Sequence, residues 1–260
     1  MKKQRVKALR FRVGSDGQTT YQVAGSREFQ TLYGRFLLEQ DALTVWPEQD
    51  FEDTDTAVEQ VAPFLQSWEI IAGLDFGSDS LRFTFESAEL ERVGDPSFVD
   101  SRGLASMELR SGLVVGDELS GHLTRHDYPQ PPAQGEFATS EYLALAYHRW
   151  RNYVRKREPL QSAAYFIYTI FEELGRSKRD AATKFEIDYA VLDTVSKLSS
   201  ISGDANSLRK FNAGAWPVPM PDAERAWLEV AMQRLIRRLG EYAAAAPLAR
   251  ITMSDFPALP

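Results

Sequence analysis

A chain of 260 residues, 43% hydrophobic and 26% charged, can bury a substantial core as one large domain or two small ones. It contains no cysteine, which excludes disulfides, thiolate metal sites and cysteine nucleophiles and suits a reducing compartment. The net charge of −7 is uneven: Thr139 to Ala246 carries 16 Lys+Arg against 13 Asp+Glu, and the remainder carries 14 against 24. That balance argues against general adhesion to nucleic acid and leaves room for a local basic face. No apolar run approaches the ~20 residues that span a bilayer. The first residues are basic with no apolar core behind them, so no signal peptide is expected and a cytoplasmic location is.

In chain order, residues 5–24 read as a hairpin, with Val6 to Val13 alternating about a Gly14-Ser15-Asp16-Gly17 turn. Leu37 to Trp46 holds another strand or two, and Glu48 to Asp55 is an acidic loop. Thr56 to Leu65 predicts a short helix that Pro63 ends early. Trp68 to Leu74 and Leu81 to Glu86 place large apolar residues at alternate positions, the pattern of half-buried strands. Ala105 to Leu109 and Leu119 to Thr124 continue it. Residues 1–126 therefore read as an antiparallel β domain with one short helix. The segment 127–138, rich in Pro and Gly, reads as a linker.

Residues 139–246 predict a bundle of five or six helices. Thr139 caps the first, which carries Tyr142, Leu145, Ala146, Trp150 and Tyr153. Pro159 opens a second, LQSAAYFIYTIFEEL, apolar almost all round and so central to the bundle. Two short helices follow, capped at Ser177 and Asp188. The last, opened by Pro221, repeats Trp227, Val230, Ala231, Leu235, Leu239 and Tyr242 at steps of three and four. The tail 247–260 is expected to pack loosely or to be disordered. The fold class is α+β.

Four constellations carry chemistry. Lys178 to Leu198 places Ala182, Phe185, Ile187, Leu192 and Val195 at the apolar positions of a helix-turn-helix, with Glu186 where the turn usually has glycine. A pair of bundle helices gives the same pattern. Arg149 to Arg157 holds five basic residues in nine with Trp150 and Tyr153 interleaved. This is either a phosphate-binding face with stacking aromatics or the solvated side of a helix whose aromatics point inward. His122 and His126, with His148 nearby, are the three histidines of the chain, and no glutamate follows His122 as a metalloprotease would require. No metal or cofactor is expected. No G-x-S-x-G, Walker-type or dinucleotide-binding glycine motif occurs.

The fourth constellation is Leu208-Arg209-Lys210-Phe211-Asn212-Ala213-Gly214, ahead of the closing helix. A long first helix, an apolar second one and a late Arg-Lys segment before a closing helix resemble the HEPN superfamily over residues 139–246. That superfamily occurs in prokaryotic toxins, antiviral defence and RNA processing. Its ribonucleases use an arginine followed four to six residues later by a histidine. Arg209 matches the arginine, but Gly214, Ala215 and Trp216 occupy the window of the histidine. The resemblance thus implies a member without the general acid–base for attack by a ribose 2′-hydroxyl. The expected function is a non-catalytic interaction or assembly module with a protein partner or a second copy, and with RNA or DNA a further candidate. Its candidate contact residues are Arg209 and Lys210, then Arg149, Arg151, Arg155, Lys156, Lys178 and Arg179. The alternative is a DNA-binding accessory or regulatory protein using residues 178–198.

Overall fold

The computed structural model describes residues 4–15, 19–21, 26–92, 95–103, 123–125, 127–201 and 220–259. It is an α+β structure of two compact units that divide between Gln134 and Gly135.

The first unit is built on a six-stranded antiparallel sheet. Its strands are β1 (Gln4–Gly14), β3 (Ser26–Thr31), β4 (Gly34–Glu39), β5 (Ala42–Pro47), β6 (Arg82–Arg92) and β7 (Asp95–Gly103), ordered β3-β4-β5-β1-β6-β7. Two short strands, β2 (Thr19–Tyr21) and β8 (Leu123–Arg125), pair in parallel as a separate ribbon. The expected hairpin over residues 5–24 does not form: β1 pairs instead with β5 and, through two register shifts, with β6. Alternation along a strand assigns its faces, not its neighbours, and both partners of β1 lie far along the chain.

The larger correction concerns residues 54–76. They form one helix, α1 (Thr54–Phe76), where the sequence reading placed a short helix and then a strand. Trp68, Ile70, Ala72 and Leu74 alternate, but they also extend the helical series Ala57, Val61, Phe64, Leu65 and Trp68. Asp53 caps the start by accepting the Thr56 N–H at 2.8 Å. Pro63 is exposed, as is Glu59, whose carbonyl would otherwise have received its missing N–H, so the proline sits on the solvent side of the helix. α1 shares one core with the sheet: Leu9, Phe11, Phe36, Leu38, Leu43 and Val45 meet Val61, Phe64, Leu65 and Trp68. The Phe29, Phe36, Phe64, Trp68 and Phe83 rings contact one another at centroid separations of 5.0–6.3 Å. The fully buried Trp68 donates its indole N–H to the Pro129 carbonyl at 3.0 Å. Tyr128 is buried, stacks on Tyr21 and donates to the Gln40 carbonyl. The first residues of the Pro-rich segment are thus held in the first unit.

The second unit gathers around α3 (Leu160–Gly175), which packs against α2 (Glu141–Val154), α4 (Lys178–Lys184), α5 (Tyr189–Ile201) and α6 (Asp222–Ala243). Small residues allow close approach. A Cβ on Gly175 would lie 2.4 Å from the Ala181 nitrogen, and one on Gly240 would lie 2.1 Å from the Phe137 ring.

The tail is docked, contrary to the loose packing expected. Ile251 bridges Ile187 in parallel, with Asp188 N–H to Ile251 O at 2.8 Å and Ile251 N–H to Glu186 O at 2.9 Å. Phe256 is buried against Trp227. Arg238, 3% exposed, donates to the Phe185 carbonyl at 2.7 Å and to that of Ala249, while its Nε pairs with Glu241 at 3.0 Å. Spacing signals only apolar contacts, so a buried guanidinium that anchors a tail leaves no pattern to read.

The helical assignment of residues 54–76 predicts that Pro63→Ala stabilises the protein, by up to about 3 kcal/mol. Denaturant unfolding checks this; unchanged or lower stability would favour a helix that ends before Pro63.

Candidate functional site

The basic stretch 149–157 runs from α2 into the turn before α3, and the rotation of α2 sorts its side chains. Leu143, Ala146, Tyr147 and Trp150 are buried, at steps of three and four. This stripe differs from the expected one: Tyr142 and Leu145 are 42% and 44% exposed. Both stripes satisfy helical spacing, and tertiary packing decides between them. Trp150 faces inward beside Tyr153, whose hydroxyl donates to Glu229 on α6. Burial first, and the Glu229 carboxylate second, push the Tyr153 pKa up to about 12. Neither ring is placed to stack on a base.

The cations of the stretch divide in two. Arg149 is half-buried: it pairs with Glu158, donates to the Ser162 hydroxyl at 3.1 Å, and sits 4.7 Å over the Phe166 ring. It fastens α2 to α3. Arg155, Lys156 and Arg157 are exposed at the corner, with Arg151 half-buried one turn earlier. Lys156 holds φ at +56°, with its N–H bonded to Tyr153 O and that of Arg157 to Asn152 O, each at 2.8 Å. This closes the end of α2 with a left-handed residue, a position usually given to glycine.

The helix-turn-helix candidate is two helices, α4 and α5, joined through residues 185–188. Phe185, Ile187, Leu192 and Val195 are fully or almost fully buried, and Ala182 is buried beside them. Glu186 adopts φ of +50°, so the turn has the conformation that glycine would make easily. Several charges on this element are already paired. Asp193 receives Lys178 at 2.9 Å and Lys197 at 2.8 Å, and Asp188 receives Arg250 at 2.7 Å. Lys178 Nζ also lies 5.6 Å from the Tyr168 ring centroid and 5.7 Å from that of Tyr189. Burial opposes the Lys178 charge, but Asp193 and the tyrosines outweigh it and its pKa is raised. Arg179 is exposed on α4.

Arg209, Lys210, His122 and His126 lie outside the described residues, so the HEPN-like segment and the His-x3-His pattern have no structural description here. His148 is exposed on α2 and bonded to Asn152 at 3.1 Å. Among the described residues, no group of three or more His, Cys, Asp or Glu side chains is arranged to hold a metal, and no helix is long and apolar enough to cross a membrane. The structure thus brings Arg151, Arg155 and Lys156 to one corner and Lys178 and Arg179 to another helix, with Arg149 inside. What the sequence reading missed is the outer side of α2, where Tyr142 and Leu145 face outward ahead of the basic corner. Comparison with protein-family models, curated proteins and solved structures finds no match.

The Lys197 and Lys178 hydrogen bonds lower the Asp193 pKa. A depressed carboxylate contributes stability that is present above its unfolded pKa and lost as pH falls through the folded value. Asp193→Asn is therefore expected to lower the melting temperature at neutral pH and to flatten the acid side of the stability profile, below about pH 4. Thermal melts across that range check it; an unchanged acid limb would show that the pairs contribute nothing.

Proposed function

We propose that the helical unit is a non-catalytic interaction and assembly module, similar to a HEPN-type domain that lacks its catalytic histidine, and that it docks a protein partner or a second copy. The observation that carries this reading is the outer side of α2. There Tyr142 and Leu145 are exposed while Leu143, Ala146, Tyr147 and Trp150 of the same helix are buried. An exposed aromatic–aliphatic pair on a helix is apolar surface of the kind that interfaces cover. The HEPN comparison adds a sequence argument, since Gly214, Ala215 and Trp216 stand where the family's ribonucleases have histidine. A role in a prokaryotic defence or RNA-associated complex follows from that resemblance alone. DNA reading through residues 178–198 is less well supported, because Lys178 and Lys197 are both tied to Asp193 instead of facing outward unpaired.

The test is the mass of the full chain isolated from its native cells with nuclease present. Size exclusion with light scattering is expected to give a stoichiometric species of at least twice 29.4 kDa or a defined hetero-complex. Leu145→Glu should return it to monomer mass with an unchanged melting temperature. A wild-type chain that is monomeric under these conditions, or an assembly that Leu145→Glu leaves intact, would contradict the reading.

A further inference from the structure

We propose that residues 249–256 are an internal occupant of a peptide-binding seat, formed by the turn between α4 and α5 together with Trp227 and Arg238 of α6. A partner protein's extended segment of the same chemistry takes the seat by displacing them. That chemistry is a basic residue, an aliphatic one next to it, and an aromatic one five positions further on. The site is separate from the α2 surface and goes beyond it.

The seat is described by what it holds. Glu186 offers a backbone carbonyl and Asp188 a backbone N–H, which pair with the N–H and carbonyl of Ile251 at 2.9 and 2.8 Å. Arg238 donates to the Ala249 carbonyl, a contact indifferent to the side chain. Three side chains are read. Asp188 holds Arg250 at 2.7 Å, Ile251 is buried where it bridges Ile187, and Phe256 is buried against Trp227 with ring centroids 5.0 Å apart. Backbone pairing of this kind supplies affinity for an extended chain, and the sites for its side chains supply selectivity.

Two features make the occupant displaceable. The first is its thin attachment: over residues 247–259 only Ile251 and Phe256 are buried, and a single β-bridge, not a strand, pairs the segment with the bundle. Segments with few buried contacts open before the structure that carries them. Release strands no buried charge, because Arg238 keeps the Phe185 carbonyl at 2.7 Å and Glu241 at 3.0 Å.

The second feature points to a ligand. Trp227 is fully buried, and its indole N–H has no hydrogen-bond partner. A buried donor left unpaired costs free energy that an acceptor beside it would recover. The chain's own segment therefore fills the seat imperfectly, and a partner that brings a carbonyl or hydroxyl to the indole gains over it.

The experiment is fluorescence anisotropy of a labelled peptide with the sequence of residues 247–257, added to the full chain. The wild type is expected to bind it weakly, since the tethered copy competes. Ile251→Asp with Phe256→Asp evicts that copy, and binding should tighten by about tenfold or more, in proportion to the fraction of seats opened. Asp188→Lys added to that variant, or Phe256→Ala in the peptide, should remove the gain. Hydrogen exchange of the wild type is a second readout: the Ile251 amide should exchange at least about tenfold faster than the amides of α3. No peptide binding by the evicted variant, or binding that Asp188→Lys leaves unchanged, would overturn the proposal. So would an evicted variant that fails to fold, or an Ile251 amide protected as strongly as α3, since either makes the segment integral to the bundle. Leu145→Glu should leave peptide binding unchanged, so failure of the α2 reading and failure of this one are distinguishable.

Discussion

α3 is apolar on nearly every side, and it has to be enclosed. Leu160, Ala163, Ala164, Ile167, Ile170 and Phe171 are buried along one broad side, with Tyr165 and Phe166 half-buried on the other, and each large buried side chain contributes about 1.5–3 kcal/mol when removed from water. No single neighbour can cover such a helix, so α2, α4, α5 and α6 all pack on it. Its two alanines and the terminal Gly175 let those neighbours come close. The rotation of α2 follows from this enclosure. Burying Leu143, Tyr147 and Trp150 turns the opposite side outward, and with it Tyr142 and Leu145.

Polar groups then complete what apolar packing begins. Arg238 is buried and bonds backbone carbonyls on two segments, the end of α4 and the tail, which neither hydrophobic spacing nor helix capping would join. Burial depresses its pKa, with Glu241 and Glu186 acting the other way, yet a guanidinium keeps its charge at any physiological pH. A buried cation that meets its acceptors is tolerated; deprived of them, it would cost several kcal/mol. The consequence is that the turn between α4 and α5 is fixed from both sides, by Arg238 on one and by the Ile251 backbone on the other. The helix-turn-helix outline is therefore a built-in part of the bundle, and two of its lysines, Lys178 and Lys197, are already paired with Asp193.

The legibility of the chain differs between its two units for physical reasons. Helices leave signals along the sequence itself: the apolar belt of α3, the Ser177 cap and the Pro221 start all appear where spacing and capping place them. The sheet is assembled from distant partners, and β1 finds β5 and β6 rather than the segment that follows it. Residues 68–74 alternate in a way that suits a strand and a helix equally, and contact with the sheet core settles the matter. At the candidate site, the inward direction of Trp150 was one of two open readings. The outward direction of Tyr142 and Leu145 was not legible, because their spacing matched a buried stripe. Single φ values, such as those of Lys156 and Glu186, leave no composition signal when the residue is not glycine.

The central claim is that this chain binds and assembles without cutting. The measurement that addresses it most directly is incubation of the purified full chain with single-stranded and structured RNA, followed by electrophoresis of the products. RNA recovered intact, with and without divalent cations, is the predicted result. Cleavage that disappears on Arg209→Ala would contradict the claim and place a working active site in the segment before α6.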